Sequence, residues 1–416
     1  MCPGGILPDS AATLEMTKAK FNLSTCSLAE RPDLVEKAYK QRAAPATMSG
    51  VEAVVSALRT NKAGGASGWR NSHVKAVAAT ADGLRALRNW CCSWGSGMFS
   101  FRDQWTLSVS LPLEKLKPDK VDVRNIVLAE PLLKVAAAVN YALHSKRALA
   151  ILLASGQFAL SGDRAGGPGL LADADAAIAS AGESAVVMST DIHNAFGCVR
   201  RADIMEELLS VAPGAAPFLA LVWGCGSDVA QAVDGQFQTF AVLDGLWQGD
   251  CWSALCFSLA LARAVRGFRQ DMTAAGLWAR LVAYLDDLVL VLRRGGLRIV
   301  AESLERRLGS VGLTLEKSKS FCMICCDSSG ECCPVVEELG YQQAFGQVPV
   351  LGSELLDDMG SCLQAHGFSA PPAAAEKGCA RLLRFVLCSN FFCRLRLWRR
   401  LHQSFGLFCL RVSMRL

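Results

Sequence analysis

Two adjacent aspartates stand at the centre of an apolar stretch. Residues 281–290 read LVAYLDDLVL, and Asp286 and Asp287 interrupt what is otherwise the pattern of a buried strand. Burying two carboxylates is costly unless something positive neutralises them. A tight turn that uses Asp for backbone hydrogen bonds is the simpler alternative. These ten residues alone leave both interpretations open.

A third aspartate follows another apolar strand. Asp191 comes at the end of SAVVMSTD, and the segment around Asp286 and Asp287 reads as a strand pair folded at that point. A strand-end Asp and a hairpin-tip Asp can face each other when the two strands are neighbours in one sheet. Three hard oxygen ligands in one place suit Mg²⁺. Two such ions can activate a 3′-hydroxyl and stabilise a leaving pyrophosphate.

The composition is that of a folded protein without targeting signals. The chain has 416 residues, of which 51% are hydrophobic, which is ample for a core and suits two or three domains. The N-terminus lacks a basic start followed by an apolar stretch, so no secretory signal is predicted. No apolar run is long enough to predict a membrane span. With 18 cysteines, we expect reduced thiols in an intracellular protein, nuclear or cytoplasmic, that is not secreted.

Positive charge is concentrated at the C-terminal end. The segment 381–416 contains eight Arg and no Lys, Asp or Glu, whereas the formal net charge of the whole chain is only +5. This bias is compatible with a polyanionic partner. A tail that binds another kind of partner would have the same composition.

Hydrophobic periodicity predicts helices mixed with mostly antiparallel strands, which is the pattern of an α+β protein. Helices are predicted over 51–62, 68–94, 200–210, 252–268 and 296–312. A strand pair joined by a basic turn is predicted between residues 105 and 129. The glycine-rich SGDRAGGPG at 161–169 predicts an exposed turn.

In their order along the chain, these segments resemble the reverse transcriptases, and specifically those of non-LTR retrotransposons and group II introns. STDIHNAFGCVRR is similar to the first palm motif of that family, GLWQGDCWSALCF to its Gly-x-x-Gln-Gly motif, and AYLDD to its Tyr-x-Asp-Asp hairpin. VGLTLEKSKS and VLGS look like the Gly-Leu-x-Leu-x-x-x-Lys motif and the primer-grip turn. GASGWRNSHVK, LPLEKLKPDKVDVRNIVL and QFALSGDRAGGPG follow the order of the fingers motifs. The likeness runs from about Lys62 to Gly352.

The resemblance implies a right-hand polymerase fold, with fingers and palm built from an antiparallel sheet packed on helices, and a partial thumb. The domains expected are an N-terminal extension over 1–50, fingers over 51–180 and a palm with the catalytic carboxylates over 181–345. Residues 346–416 would hold the primer-grip turn and the partial basic thumb.

The resemblance also implies RNA-directed DNA synthesis by two-metal catalysis. Asp191, Asp286 and Asp287 would hold two Mg²⁺ ions, or Mn²⁺ in their place, and the backbone carbonyl of Ile192 would complete one of the sites. Lys319 would donate a proton to pyrophosphate or neutralise it.

Further residues would bind the substrates, again by resemblance. Arg124, with Lys115 or Lys117, would contact the triphosphate, since a guanidinium can bind phosphate in a bidentate manner. A solvated basic hairpin is the alternative for these three. Phe196 would act as a gate against a ribose 2′-hydroxyl and so favour deoxynucleotides, although a core aromatic would give the same pattern.

The remaining matches concern the template and the primer. Gln248 and Gly249 would lie against the incoming nucleotide and template, with glycine permitting close backbone approach, and Tyr284 would pack beneath the primer terminus. The sequence departs from the family pattern at Asn125, His193, Cys251, Trp252 and Leu285.

The partners implied are an RNA template, a DNA primer and deoxynucleoside triphosphates, with no membrane. Any endonuclease or RNase H activity would come from regions outside this chain. One alternative is a catalytically silent or domesticated nucleic-acid-binding protein that kept the fold. Another is an RNA-directed RNA polymerase or a maturase on the same palm, against which Phe196 argues.

Five cysteines cluster within FCMICCDSSGECC. Their spacing permits a zinc site, but the gap between the two pairs is short, and free thiols in a loop are the favoured interpretation. The cluster consists of Cys322, Cys325, Cys326, Cys332 and Cys333.

Overall fold

The computed structural model describes residues 5–21, 27–116, 121–160, 166–325, 333–345, 347–350 and 353–356. Several sequence predictions lie outside these residues. They concern Lys117, the first part of the glycine-rich turn at 161–165, Cys326, Cys332, the primer-grip residues Leu351 and Gly352, and the basic thumb segment from 357 onward.

The described residues form fifteen α-helices. They are α1 (Ala11–Lys18), α2 (Pro32–Tyr39), α3 (Met48–Ala57), α4 (Asn71–Ala78), α5 (Ala81–Gly95), α6 (Arg102–Thr106), α7 (Pro131–His144), α8 (Lys146–Ala154), α9 (Gly166–Ala181), α10 (Ala195–Cys198), α11 (Arg201–Val211), α12 (Ala216–Trp223), α13 (Ser253–Ala274), α14 (Leu297–Gly309) and α15 (Pro334–Glu338).

Eleven strands complete the described part of the chain. They are β1 (Ser108–Leu116), β2 (Val121–Leu128), β3 (Ala185–Asp191), β4 (Ser227–Val233), β5 (Gln236–Val242), β6 (Ala279–Tyr284), β7 (Asp287–Arg293), β8 (Phe321–Ile324), β9 (Gln342–Ala344), β10 (Gln347–Val350) and β11 (Ser353–Leu356).

The five-stranded sheet that carries the aspartates has the order β6-β7-β3-β8-β9. Strand β3 runs antiparallel to both of its neighbours, β7 and β8. Successive side chains of a strand point to opposite faces. Val186 and Met188 accordingly join the larger core, whereas Ala185 and Val187 join a second cluster on the side of α9. Because both faces are covered, the strand is continuously apolar over its first four residues, 185–188, and does not alternate there.

Long helices cover the face of this sheet that belongs to the larger core. Helix α13 has 22 residues and packs against α11 and α14. An ionic cluster joins α13 to α14, because Asp271 of α13 accepts hydrogen bonds from Ser303, Arg306 and Arg307 of α14. These contacts hold the helices beneath the strands that end at the aspartates.

A four-stranded sheet with the order β2-β1-β4-β5 stands beside the first. Its buried centre is polar: the Ser110 hydroxyl lies 2.6 Å from Asn125 Oδ1 and 2.8 Å from Gln231 Oε1. This contact gives Asn125, one of the departures from the family pattern, a packing role. The sheet combines strands from the ranges predicted as fingers and as palm, and those domain boundaries stay a prediction.

The architecture confirms the predicted fold class, with antiparallel-rich sheets packed on helices. The exposed turn predicted from SGDRAGGPG is wrong for Gly166 to Gly169, which form the first turn of α9. A first turn tolerates Pro168 because its N–H groups have no intrahelical acceptor. None of the helices that the structure describes is long and apolar enough to cross a membrane.

Candidate active site

The hairpin β6–β7 brings the paired aspartates to the edge of the sheet. Tyr284 pairs with Asp287, so Leu285 and Asp286 form a two-residue loop. Leu285 has φ +53°, a left-handed conformation that costs a residue with a Cβ about 1–2 kcal/mol. The loop therefore needs support from its surroundings.

That support comes from the segment between α8 and α9. The side-chain Oε1 of Gln157 accepts a hydrogen bond from the N–H of Leu285 at 2.9 Å. The segment is itself joined to β6, because Phe158 N–H donates to Ala283 O and Ala283 N–H donates to Gly156 O, both at 2.8 Å. Gln157 is only 4% exposed, so its side chain has little freedom to leave the loop.

The register of β3 against β7 places Asp191 directly opposite Asp287. Burial, followed by the negative charges of Asp286 and Asp191, raises the pKa of Asp287 to about 6. Burial also raises the pKa of Asp286, and the charge of Asp191 adds to this, whereas Lys115 and Arg124 oppose it. The three carboxylates thus form one region of concentrated negative charge.

Residues 314–319 run beside the end of β3 and provide a cation. Lys319 Nζ donates to Asp191 Oδ2 at 2.9 Å. Main-chain bonds hold the two segments together, from Glu316 N–H to Asp191 O and from His193 N–H to Thr314 O, each 2.8 Å. Burial lowers the pKa of Lys319, but its hydrogen bond to Asp191 and the surrounding carboxylates outweigh this and raise it.

A cleft of about 140 Å³ opens in front of Asp191 and Asp286. Its walls come from β1, β2, the segment after β3 and the loop before α13. Four of its residues are basic, namely Lys20, Lys115, Arg124 and Lys319, and four are acidic, namely Asp122, Asp191, Asp286 and Glu316. A cleft with this lining suits an anionic ligand that binds together with cations.

Phe196 and Gln248 also line the cleft. The ring of Phe196 stacks on Phe257 with the ring centroids 5.3 Å apart, and its carbonyl accepts from Leu246 N–H at 2.6 Å. Gln248 O accepts from Val127 N–H at 3.1 Å, which joins the loop before α13 to β2.

The neighbouring Gly249 has φ +108°, and a Cβ on it would lie 3.3 Å from the carbonyl oxygen of Val127. Glycine permits both this conformation and this approach.

A family model described as reverse transcriptase (RNA-dependent DNA polymerase) matches residues 123–355, more than half of the chain. The chain belongs to the reverse transcriptase family. The match confirms the family that the ordered motifs predicted, and the non-LTR subtype stays a prediction. No curated protein matches the chain.

Reverse transcriptases use divalent metal ions, and the donor set here fits that requirement in its chemistry. Hard carboxylate oxygens are the ligands that Mg²⁺ prefers. Burial, and after it the neighbouring negative charges, raise the pKa values of Asp286 and Asp287, and a bound cation would offset both causes. Within the described ranges, however, no three His, Cys, Asp or Glu side chains form a ready-made metal cluster. Lys319 is the cation bound to Asp191, so a metal there would have to compete with it.

The structure gathers the predicted site residues on two sides of the carboxylates. Lys115, Arg124, Phe196, Gln248 and Lys319 line the cleft, as does Ile192. Ile192 pairs with Leu315 in an isolated β-bridge. The main-chain hydrogen bonds described above use the carbonyl of Asp191 and the N–H of His193, and not the carbonyl of Ile192. Tyr284 instead packs against the cluster on the side of α9, and Asp287 faces a second opening beside Ser189 and Phe321.

Sequence reasoning missed three residues that shape the site. Gln157 supports the hairpin loop. Arg201, 1% exposed, donates to Gly245 O at 2.8 Å and to Val242 O at 3.2 Å, and so braces the loop that carries Gln248. Lys20 reaches the cleft from the N-terminal extension. None of the three has a signal in the sequence, since Arg201 begins a helix that also carries Asp203, Glu206 and Glu207 and so has the pattern of one more exposed charge.

Two members of the cysteine cluster that the structure describes, Cys322 and Cys325, lie on opposite faces of the sheet. Cys322 joins the larger core and Cys325 the cluster on the opposite face. Burial raises the pKa of Cys322 to about 12, as expected for a thiol that packs as a small apolar side chain. Two side chains on opposite faces of one sheet do not serve one tetrahedral zinc ion, so this pair argues against the zinc alternative.

Proposed function

We propose that this chain synthesises DNA on an RNA template by adding deoxynucleotides to a primer 3′-hydroxyl. The observation that carries the proposal is the register that sets Asp191 against Asp287, with Asp286 beside them and a cation-lined cleft in front. Family membership supports it, because the matched residues include all three carboxylates.

The residues of the chain would have the following roles in the reaction. Asp191, Asp286 and Asp287, with the carbonyl of Ile192, would hold two Mg²⁺ ions, or Mn²⁺, which supply activation of the hydroxyl and neutralisation of the phosphates. Lys319 would stabilise or protonate the departing pyrophosphate, and its hydrogen bond to Asp191 supports this role.

The substrate would be oriented by the cleft walls. Arg124 and Lys115 would bind the triphosphate, and Phe196, fixed on Phe257, would exclude a 2′-hydroxyl. Gln248 and Gly249 would lie against the base pair being formed, held in place through β2. Tyr284, at the end of β6, would support the primer strand.

The wider assignment is also part of the proposal. The partners would be an RNA template, a DNA primer and deoxynucleoside triphosphates inside the cell, in the nucleus or cytoplasm. The chain would belong to a non-LTR-type retroelement, with any endonuclease or RNase H activity supplied by regions outside it. The order and spacing of the motifs support this subtype.

A nucleic-acid-binding protein without synthesis is the second candidate. It is favoured by the ion pair between Lys319 and Asp191, which satisfies one carboxylate without a metal. It predicts binding of template–primer with no incorporation under any divalent ion.

Primer extension separates the two. The purified chain would be given poly(rA)/oligo(dT), dTTP and Mg²⁺ or Mn²⁺, beside Asp286→Asn and a control, Asp82→Asn, which changes an exposed carboxylate on α5. Incorporation by the wild type and by Asp82→Asn, but not by Asp286→Asn, is expected. Template–primer binding without incorporation would refute synthesis and support the second candidate.

A further inference from the structure

The N-terminal segment is built into the wall of the cleft. Helix α1 packs against β2 and β4, and the chain then turns so that Phe21 is buried. Phe21 joins a small core with Val127, Val242 and Trp247. Trp247 directly precedes Gln248, so this core ties the N-terminal segment to the loop that carries a predicted substrate residue.

The main chain at Lys20 is fixed against the segment that follows Asp191. Asn194 Nδ2 donates to Lys20 O at 3.0 Å. A Cβ on Gly197 would collide with the same carbonyl oxygen, so the two segments approach as closely as glycine allows. The position of Lys20 is therefore defined relative to the catalytic strand, although the two are far apart in sequence.

The side chain of Lys20 extends into the cleft. Its Nζ lies 2.7 Å from Asp122 Oδ1, and the side chain is 26% exposed. It lines the same cleft as Lys115, Arg124 and Lys319. An ammonium on a four-carbon stem can move between a carboxylate and a phosphate at little cost, because its three donors need no fixed orientation.

We propose that Lys20 binds the triphosphate of the incoming deoxynucleotide, and that Asp122 holds its ammonium when no nucleotide is present. The inference rests on the proposed function for the identity of the ligand. It assigns a substrate-binding role to the N-terminal extension, which lies outside the residues that the family model matches. Lys20 would add a cation to the cleft that Lys115, Arg124 and Lys319 also line, and so help to bind the phosphates.

The competing explanation is that Lys20 only fastens the N-terminal segment to β2. The two differ in what Asp122→Asn does. If Lys20 binds phosphate, weakening its partner releases the ammonium, and nucleotide affinity is kept or increased. If the ion pair between Lys20 and Asp122 only anchors the N-terminal segment to β2, Asp122→Asn and Lys20→Gln lower the melting temperature equally. They then also affect nucleotide affinity equally.

The test measures dTTP affinity by equilibrium binding to the full chain on poly(rA) with a dideoxy-terminated oligo(dT) primer and Ca²⁺. Lys20→Gln is compared with Lys18→Gln, which changes an exposed lysine of α1 paired with Glu15. We expect the Kd for dTTP to rise about tenfold for Lys20→Gln, as for loss of one charged phosphate contact. Lys20→Arg should restore most of it, with template–primer affinity unchanged.

The inference is overturned if Lys20→Gln binds dTTP within twofold of the wild type, if Lys18→Gln loses as much affinity, or if the wild type binds no dTTP. If Lys20→Gln does not fold, Asp122→Asn decides the question, and loss of dTTP affinity in that variant refutes the role. Failure of the proposed function would give a different result from failure of this inference, because the wild type would then bind dTTP but extend no primer.

Discussion

Replacing Gln157 with Met should slow nucleotide addition while leaving template–primer binding intact. Methionine has nearly the same length but no acceptor, so the N–H of Leu285 loses its hydrogen bond to Gln157 Oε1, as does the N–H of Ala159 at 3.3 Å. The hairpin loop then keeps its left-handed residue without the contact that stabilises it.

The size of the effect follows from two terms. A part-buried N–H without an acceptor costs about 1–2 kcal/mol, and the left-handed conformation of Leu285 costs about as much again. Once the bond is lost, the observed loop conformation is no longer favoured over one with negative φ. Since ~1.4 kcal/mol is about a factor of ten in population, the fraction of molecules with Asp286 correctly placed should fall about tenfold.

Single-turnover primer extension at saturating dTTP measures this fraction. The control is Gln41→Met, which changes an exposed glutamine after α2. Leu285→Gly in the Gln157→Met background should recover much of the rate, because glycine adopts positive φ without the steric cost. A wild-type rate in Gln157→Met, or no recovery in the double variant, would refute the coupling between Gln157 and the loop.

Three other changes test the remaining supports of the site. The pKa of Asp287 is raised from 3.8 to about 6, so its protonated form contributes stability that is fully present below 3.8 and is lost as the pH rises through 6. Asp287→Asn should therefore raise the melting temperature of the metal-free protein by more at pH 7.5 than at pH 5, where only part of the effect has developed. Arg201→Met should lower the free energy of unfolding in urea by about 3 kcal/mol, since two carbonyls lose a buried guanidinium donor; an unchanged value would show that Arg201 does not brace the loop. Gly245→Ala should lower the free energy of unfolding by at least about 1 kcal/mol more than Gly235→Ala does. Both residues have positive φ, but only a Cβ at 245 would meet a backbone atom, 2.7 Å away. Equal losses would rule out this close approach as the cause.

Local patterns in the sequence were sufficient for the strands that carry the aspartates. An apolar run that ends in Asp191 predicts one strand, and a second run broken by Asp286 and Asp287 predicts a strand pair; β3, β6 and β7 are those three strands. The order of the motifs was enough for the family, which the match over residues 123–355 confirms. The metal ligands, the substrate roles and the domain limits stay predictions.

The glycine-rich stretch at 161–169 predicts a turn, but the tertiary structure makes its last four residues helical. Residues 166–169 have the composition of a loop, but they begin α9, whose buried face, with Leu170, Ala174 and Ala177, covers the sheet. Burial of that face outweighs the low helix propensity of glycine, which costs about 1 kcal/mol per residue. Propensity is local, whereas the partner that α9 covers comes from residues after 184 in the chain.

The sequence alone shows which residue types stand at the ends of which strands, and hence the family. The fold alone sets the contacts between distant segments, namely those of Gln157 with Leu285, Arg201 with the loop before α13, and Lys20 with the segment after Asp191. This division arises because hydrophobic periodicity and turn chemistry depend on neighbours within a few residues. A single hydrogen bond between segments more than a hundred residues apart, whether to the side chain of Gln157 or to the main-chain carbonyl of Lys20, leaves no periodic trace in the sequence around it.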